Sequence, residues 1–237
     1  MKNKLSNLIL LISVALIAVT AVSYAWFTIS DNARLTTMYM DVTSGLSLRI
    51  DLDAHEAFED YKQSLAFSDI EARIRSERGI DIKQVPMQPV TTNDLVSFTF
   101  EKGNAASAAE GHYLEFTLHF IAQGDMWVHL TSSSSQNADN GTKIGSNSGN
   151  SDAMAHAMRI GFRHAGGTFI YDPGEDDIAG LTDGNRLFFV KENTDYPVTV
   201  YVWMEGTDPY CTNDLKGLDY IVRMRFEGSD ENNKPLS

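Results

Sequence analysis

The chain has 237 residues, 43% of them hydrophobic, and a formal net charge of −13 at pH 7. This length fits one domain, or one domain with insertions, and the apolar share is enough for a core. The acid excess repels the nucleic-acid backbone and argues against a nucleic-acid partner. Cys211 is the only cysteine, so its thiol is buried, reactive or a cross-link between chains, and no internal disulfide holds the fold.

The first 25 residues have the three parts of a secretory signal: a positive start, an apolar run over 5–22 and a small-x-small site. The predicted cleavage site consists of Ser23, Ala25 and Trp26. The apolar run could also span a membrane and serve as an anchor, although the polar residues inside it favour cleavage. We therefore predict a secreted protein that meets a signal peptidase and touches a membrane only through an uncleaved signal.

Residues 26–45 form an N-terminal segment that begins, after cleavage, with two adjacent aromatic residues. Its first part, 26–35, alternates in part like a strand with one apolar face. The side chains of that face are Phe27, Ile29, Ala33 and Leu35, and Trp26 precedes them. A second alternating strand is predicted over 45–50.

Beyond residue 50 the apolar pattern changes to helical spacing and then to short strands. Apolar residues within 54–78 predict one or two amphipathic helices that end at Gly79. One or two helical turns are predicted over 152–158, after a long polar loop over 132–150. The predicted strands cover 95–101, 113–121, 126–131, 159–163, 169–171, 186–191, 196–205 and 220–227.

Many short strands with turn signals between them predict a mainly β fold: an antiparallel β-sandwich of jelly-roll type with a small helical insertion near 54–78, preceded by an N-terminal hydrophobic signal helix. An immunoglobulin-like sandwich is the alternative, but its Cys…Trp…Cys pattern is absent. The predicted divisions are a signal peptide over 1–25, the N-terminal segment over 26–45, the sandwich domain over 46–230 and a polar tail over 231–237.

Two short motifs near the start carry a family resemblance. The run Ala25-Trp26-Phe27-Thr28 is followed by Gly45-Leu46-Ser47-Leu48-Arg49-Ile50. Together they resemble the TasA/camelysin family of Gram-positive surface proteins, in which a dedicated signal peptidase cuts before an aromatic pair. The resemblance covers residues 1 to about 50, and neither the middle helices nor residues 203–215 match the family residue by residue.

The resemblance implies a jelly-roll subunit of an extracellular biofilm-matrix fibre. In such fibres the N-terminal strand of one subunit completes a sheet of the next, by main-chain hydrogen bonds and alternating side chains. The contact is head-to-tail and propagates into a filament. For this chain the implied assembly strand is 26–35; pairing within its own domain and disorder are the alternatives.

A metal-dependent peptidase is a further hypothesis, because camelysin-like proteins have been described as metalloproteases. The nearest approach to a zincin motif is His55-Glu56-Ala57-Phe58-Glu59, which lacks the second histidine. On a helix, His55 and Glu59 would lie one turn apart and would supply only two metal ligands. A ligand set assembled across strands would have to use His112, His119 or His129.

Two acidic loops, 172–183 and 205–214, could bind calcium through carboxylate oxygens, although neither follows the EF-hand order. Solvated loops are the simpler interpretation. The predicted calcium ligands of the second loop are Glu205, Asp208, Asn213 and Asp214, and the Asn-Asp pair could instead cap a short helix over 212–216.

The first functional hypothesis is a secreted, non-enzymatic subunit of a surface or matrix fibre, with copies of itself and other matrix proteins as partners. No cofactor is expected beyond the calcium above. The alternative is a monomeric adhesin or carbohydrate-binding sandwich. Exposed aromatics on a sheet face would favour it, and Trp127 and Trp203 are the candidates.

Overall fold

The computed structural model describes residues 34–42, 47–132 and 141–236. These residues form a mainly β fold with two sheets and two α-helices, which confirms the coarse prediction. The strands are β1 (Arg34–Val42), β2 (Leu48–Asp51), β3 (Ser64–Leu65), β4 (Pro89–Val90), β5 (Leu114–Ala122), β6 (Met126–Leu130), β7 (Lys143–Gly145), β8 (Met158–His164), β9 (Gly167–Tyr171), β10 (Arg186–Val190), β11 (Tyr196–Glu205) and β12 (Asp219–Ser229).

In the described part of the chain the α-helices are α1 (Phe67–Arg78) and α2 (Ser151–Ala157), and four single 3₁₀ turns accompany them. The turns are Phe58–Asp60, Ala108–Glu110, Asp183–Asn185 and Asn213–Leu215. Within the described residues, neither helix combines the length and apolarity needed to cross a bilayer. The predicted signal helix and the remainder of 1–33 lie outside the described residues.

Each sheet is a row of five strands with a sixth short strand beside it. Sheet A has the order β10-β6-β12-β1-β3, with β7 also on β12; sheet B has the order β2-β5-β11-β8-β9, with β4 also on β11. The pairs β1–β12 and β4–β11 are parallel, and the other strand pairs are antiparallel. The long strands β12 and β11 therefore form the centres of sheets A and B, and each pairs with strands on both of its sides.

Aromatic rings from both sheets meet in one core. The ring of Phe120 on β5 lies 4.9 Å from that of Phe188 on β10 and 5.1 Å from that of Phe226 on β12, between ring centroids. Phe162 on β8 also contacts Phe226 edge-on. Alternate residues of β11 and β12 enter this core because side chains of a strand point to opposite faces.

The outer face of sheet B is covered by a segment that the sequence analysis predicted as a strand. Residues 95–101 form no strand beyond the two isolated bridges of Thr99, to Thr91 and to Ala105, so that prediction is wrong. Leu95 has a φ of 54°, and the Asp94 carboxylate accepts the backbone N–H groups of Val96 and Ser97, which takes those donors away from a ladder.

The apolar residues of this segment pack flat on sheet B. The Phe98 ring stacks on Tyr113 with centroids 3.9 Å apart and meets Trp203 edge-on at 5.6 Å. Leu95 approaches closely because β8 has a glycine there: a Cβ on Gly161 would lie 2.5 Å from Leu95 Cδ2. Trp203 is consequently 1% exposed and belongs to a second apolar cluster outside the main core.

The predicted helical region over 54–78 forms an α-helix only in its second half. The first half contains the single 3₁₀ turn Phe58–Asp60 and then Lys62, which exchanges backbone hydrogen bonds with Ile50. Helix α1 ends as predicted at Gly79, whose φ of 72° makes a left-handed C-cap and whose N–H donates to the carbonyl of Arg75. His55 and Glu59 are therefore not one turn apart on a helix, so they do not form the predicted pair of metal ligands on one helix face.

Candidate functional site

An ion-pair centre at Arg159 joins the two acidic loops in which the sequence analysis predicted calcium. The Arg159 Nη2 atom lies 2.7 Å from a carboxylate oxygen of Asp172 and 2.6 Å from one of Asp208. Its Nη1 donates to the backbone carbonyls of His156 and Met158. The Arg159 side chain is only 10% exposed, so the cation that both loops share in the structure is a guanidinium.

Glu205, a predicted calcium ligand, has both carboxylate oxygens engaged. Its Oε2 accepts the indole N–H of Trp203 at 3.0 Å. Its Oε1 accepts the backbone N–H and the hydroxyl of Thr207, the latter at 2.6 Å. The carboxylate thus closes the turn that follows β11.

The other predicted calcium ligands do not join Glu205 in one cluster. Asp208 pairs with Arg159, Asn213 begins a short 3₁₀ turn, and the backbone carbonyl of Asp214 accepts the Asn150 amide at 3.3 Å. Within residues 34–42, 47–132 and 141–236, no three His, Cys, Asp or Glu side chains form a group that could hold a metal. Calcium binding stays a prediction.

Cys211 lies in the same loop and is buried. Burial, with the negative charges of Asp208 and Glu205, raises the pKa of its thiol to about 12. The thiol is protonated at neutral pH, which makes it a poor nucleophile. Of the three alternatives for the Cys211 thiol, which were buried, reactive or a cross-link between chains, the structure supports the buried one.

Two of the histidines considered as metal ligands are tied to different carboxylates. The His55 Nε2 atom lies 3.6 Å from a carboxylate oxygen of Asp51. The His119 Nδ1 atom lies 2.9 Å from Asp195, which also accepts the hydroxyl of Tyr61 at 2.7 Å. These contacts fasten the 51–61 segment to β5 and to the loop before β11.

The predicted cleavage site and most of the assembly strand, residues 26–33, lie outside the described residues. The part that is described belongs to its own sheet: Leu35 pairs with Tyr220 of β12 and is 1% exposed. The strand continues in β1 through Val42. Any donated strand must therefore end before Arg34 if β1 stays in place.

Asp219 fastens the start of β1 to the start of β12. Its carboxylate accepts the hydroxyls of Thr36 at 2.9 Å and Ser146 at 2.9 Å, together with the backbone N–H and the hydroxyl of Ser148. Although burial raises the pKa of Asp219, these hydrogen bonds outweigh it and lower the pKa to about 2. The carboxylate is thus an acceptor at every physiological pH and holds the start of β1 beside β12.

An aromatic cleft of about 320 Å³ lies where the edge of sheet A meets an end of sheet B. Its characteristic lining residues are Trp127, His164, Thr168, Phe188, Phe189 and Tyr196. Trp127 and Phe189 are neighbours across the β6–β10 pair, with ring centroids 5.2 Å apart, and both are half-buried. This volume is at the lower end of the ~300–1,000 Å³ typical of ligand clefts.

Of the residues that line this cleft, only Trp127 was predicted from the sequence as a candidate binding residue. Its walls come from residues far apart in the chain, because the turn between β8 and β9 faces the side of β10. A local signal was present in the adjacent pair Phe188-Phe189, since neighbouring strand residues point to opposite faces and one ring of such a pair must lie outside the core.

Comparison of the chain with protein-family models, with curated proteins and with solved structures gave no match.

The three histidines with perturbed pKa values predict a pH-dependent stability. Burial lowers the pKa of His112, His129 and His164; His129 is fully buried between Asn185 and Ser229. Between the lowered folded pKa and the unfolded value of about 6.5, the unfolded chain binds more protons. The stability that depends on these neutral histidines is therefore fully present above about pH 6.5. It is lost as the pH falls from there through the lowered pKa values of the folded state.

We expect the urea midpoint of unfolding to decrease when the pH is lowered from 7.5 to 5.5. The decrease should be smaller in His129→Gln, because glutamine cannot titrate. If the urea midpoint changed equally with pH in the unsubstituted chain and in His129→Gln, this assignment to His129 would be contradicted.

Proposed function

We propose that this chain is a secreted, non-enzymatic structural subunit of an extracellular surface or biofilm-matrix fibre, as its resemblance to the TasA/camelysin family implies. Its domain is a β-sandwich of jelly-roll type. After a signal peptidase cuts before Trp26, residues 26–33 are donated to the next subunit, so that copies join head to tail. Other matrix proteins join as further partners by the same strand addition.

The observation that carries the proposal is the arrangement at the start of β1. From Arg34 to Val42 the chain pairs with β12 of its own sheet, and the hydroxyl of Thr36 donates to the Asp219 carboxylate. Strands β10 and β9 end their sheets and have one side without a strand partner among the described residues. Such edges are sites at which another strand adds.

The test compares the mature chain, 26–237, with a chain that begins at Arg34. We expect filaments by electron microscopy for the first and a monomer by size-exclusion chromatography with light scattering for the second. The deletion stops at 33 because Leu35 is buried in the core and its loss would damage folding. Far-ultraviolet circular dichroism of both chains checks that the fold is retained.

Filaments that persist in the chain beginning at Arg34 would rule out donation of 26–33. A second candidate function, a monomeric glycan-binding surface protein, is favoured by the half-buried pair Trp127 and Phe189. A mature chain that stays monomeric at high concentration and binds an oligosaccharide, with the binding lost in Trp127→Ala, would decide for that candidate.

A further inference from the structure

The outer face of sheet A carries an exposed aromatic ring in one row with two cations. Tyr39 of β1, Arg223 of β12 and Lys143 of β7 are partners in the strand register. Neighbouring strands lie about 4.8 Å apart, so the row spans roughly 10 Å. The residues before and after Tyr39 and Arg223 in the chain are buried in the main core. Because side chains alternate along a strand, the row itself faces away from the core.

Two clefts meet at this row and share Tyr39 and Arg223 as lining residues. The larger cleft, of about 510 Å³, is also lined by Thr37, Lys143 and Asn147. The smaller cleft, of about 460 Å³, extends from Tyr39 and Arg223 toward β3. Each volume lies within the ~300–1,000 Å³ typical of ligand clefts. Because the clefts adjoin, they suit a ligand of several linked units better than a single small molecule.

Several polar groups of the larger cleft are left for a ligand. In the part of the chain that the structure describes, the Thr37 hydroxyl, the Lys143 ammonium and the Asn147 amide make no hydrogen bond or ion pair. The ring of Tyr39 is 50% exposed and meets no other ring or cation there. The carboxylate of Asp41, two residues further along β1, is held by Arg225 at 2.6 Å. Lys143 therefore keeps its whole charge for a bound anion.

A ligand that fits this surface offers an anion, an apolar face and hydroxyl groups together. A guanidinium pairs with a carboxylate through two N–H groups, and an ammonium adds a point charge. A tyrosine ring offers an apolar body with a polar tip. A uronic acid has a carboxylate, a sugar ring with a face of C–H groups and several hydroxyls, so it matches all three. The net charge of −13 repels anions from the chain as a whole, which confines such binding to this row.

We propose that the outer face of sheet A binds an acidic polysaccharide, a chain of uronic acid sugars, through Tyr39, Arg223 and Lys143. The carboxylate of one sugar is held by Arg223 and Lys143, the ring of a sugar lies on Tyr39, and the two clefts take the sugars on either side. This activity goes beyond the assembly of subunits, since none of these residues precedes Arg34. The site also shares no lining residue with the aromatic cleft.

The first test titrates the mature chain with tetragalacturonate by isothermal titration calorimetry. The buffer contains EDTA, so that calcium cannot bridge the acidic chain and the acidic sugar. We expect binding that is tighter by roughly tenfold or more than binding of the same tetramer with its carboxylates reduced to alcohols. Poly(glycerol phosphate) of equal charge carries anions without sugar rings, and it is expected to bind more weakly than tetragalacturonate because nothing in it covers Tyr39.

The second test removes the row one side chain at a time. Lys143→Gln and Tyr39→Ala are each expected to weaken tetragalacturonate binding roughly tenfold, whereas Tyr39→Phe keeps the ring and most of the affinity. Both residues are exposed, so the fold should be retained, and circular dichroism checks this. The control, Lys191→Gln, removes an equally exposed positive charge outside the two clefts and is expected to bind like the unsubstituted chain.

The chain that begins at Arg34 is expected to bind tetragalacturonate like the mature chain, which separates this site from assembly. Filaments of a mature chain that does not bind tetragalacturonate would overturn the site and leave the proposed function standing; binding by a chain that never assembles would support the site alone. Equal binding of the reduced tetramer, or full binding by Lys143→Gln, would overturn the recognition of a carboxylate. Poly(glycerol phosphate) that binds as tightly as tetragalacturonate would overturn the role of the sugar ring.

Discussion

Replacing Arg159 with methionine is expected to lower the free energy of unfolding by about 3 kcal/mol. The substitution keeps the apolar stem and removes the charge that lies between Asp172 and Asp208. Two carboxylates that share one guanidinium are then left facing each other in a largely buried place. Urea denaturation followed by circular dichroism measures the change.

The matched control is Arg75→Met. Arg75 also contacts two carboxylates, at 2.8 Å on Glu71 and 2.7 Å on Asp81, but its side chain is 51% exposed. Exposed ion pairs contribute about 0–1 kcal/mol, so a small change is expected. Equal losses at the two arginines would contradict the role given to burial. Adding Asp172→Asn and Asp208→Asn to Arg159→Met should restore part of the stability if repulsion between the carboxylates causes the loss.

The ion pairs of Arg159 show which features of a site can be predicted from the sequence. The two acidic loops are visible as local runs of carboxylates, and a shared cation is a sound expectation for them. The identity of that cation is not local. It depends on β8 lying beside both loops, so that a residue many positions from Asp208 supplies the charge.

Strand prediction succeeded where one face of a strand is buried in the main core. The predicted range 196–205 coincides with β11, and β12 begins one residue before its predicted start. Alternation reports burial on one face, and it does so for any extended apolar segment. It therefore gave the same signal for 95–101, whose rings are buried against the outside of sheet B without a ladder.

For a similar reason, the aromatic cleft could not be predicted from local sequence patterns. Its walls belong to the end of sheet A and to a turn of sheet B, and their meeting depends on how the two sheets pack. Sequence periodicity determines which face of a strand is apolar, but it does not determine which edge stays open.

Replacing Phe98 with alanine is expected to lower the free energy of unfolding by about 3–4 kcal/mol, the usual cost of removing a buried aromatic ring. Phe98 is 3% exposed and contacts the rings of Tyr113, Tyr201 and Trp203. The loss should also uncover Trp203. With Trp26 and Trp127 replaced by phenylalanine, a red shift of the Trp203 fluorescence in the folded variant measures that exposure.

Val96→Ala serves as the control, because Val96 belongs to the same segment but is 65% exposed. Its expected effect is within about 0.5 kcal/mol, as for most surface substitutions. If Phe98→Ala proved as mild as Val96→Ala, the segment over 91–113 would not unfold together with the sheets. A large loss without a spectral shift would mean that other side chains still cover Trp203. The expected pair of changes requires the segment to be an integral outer layer of sheet B, built on Trp203 and Tyr201.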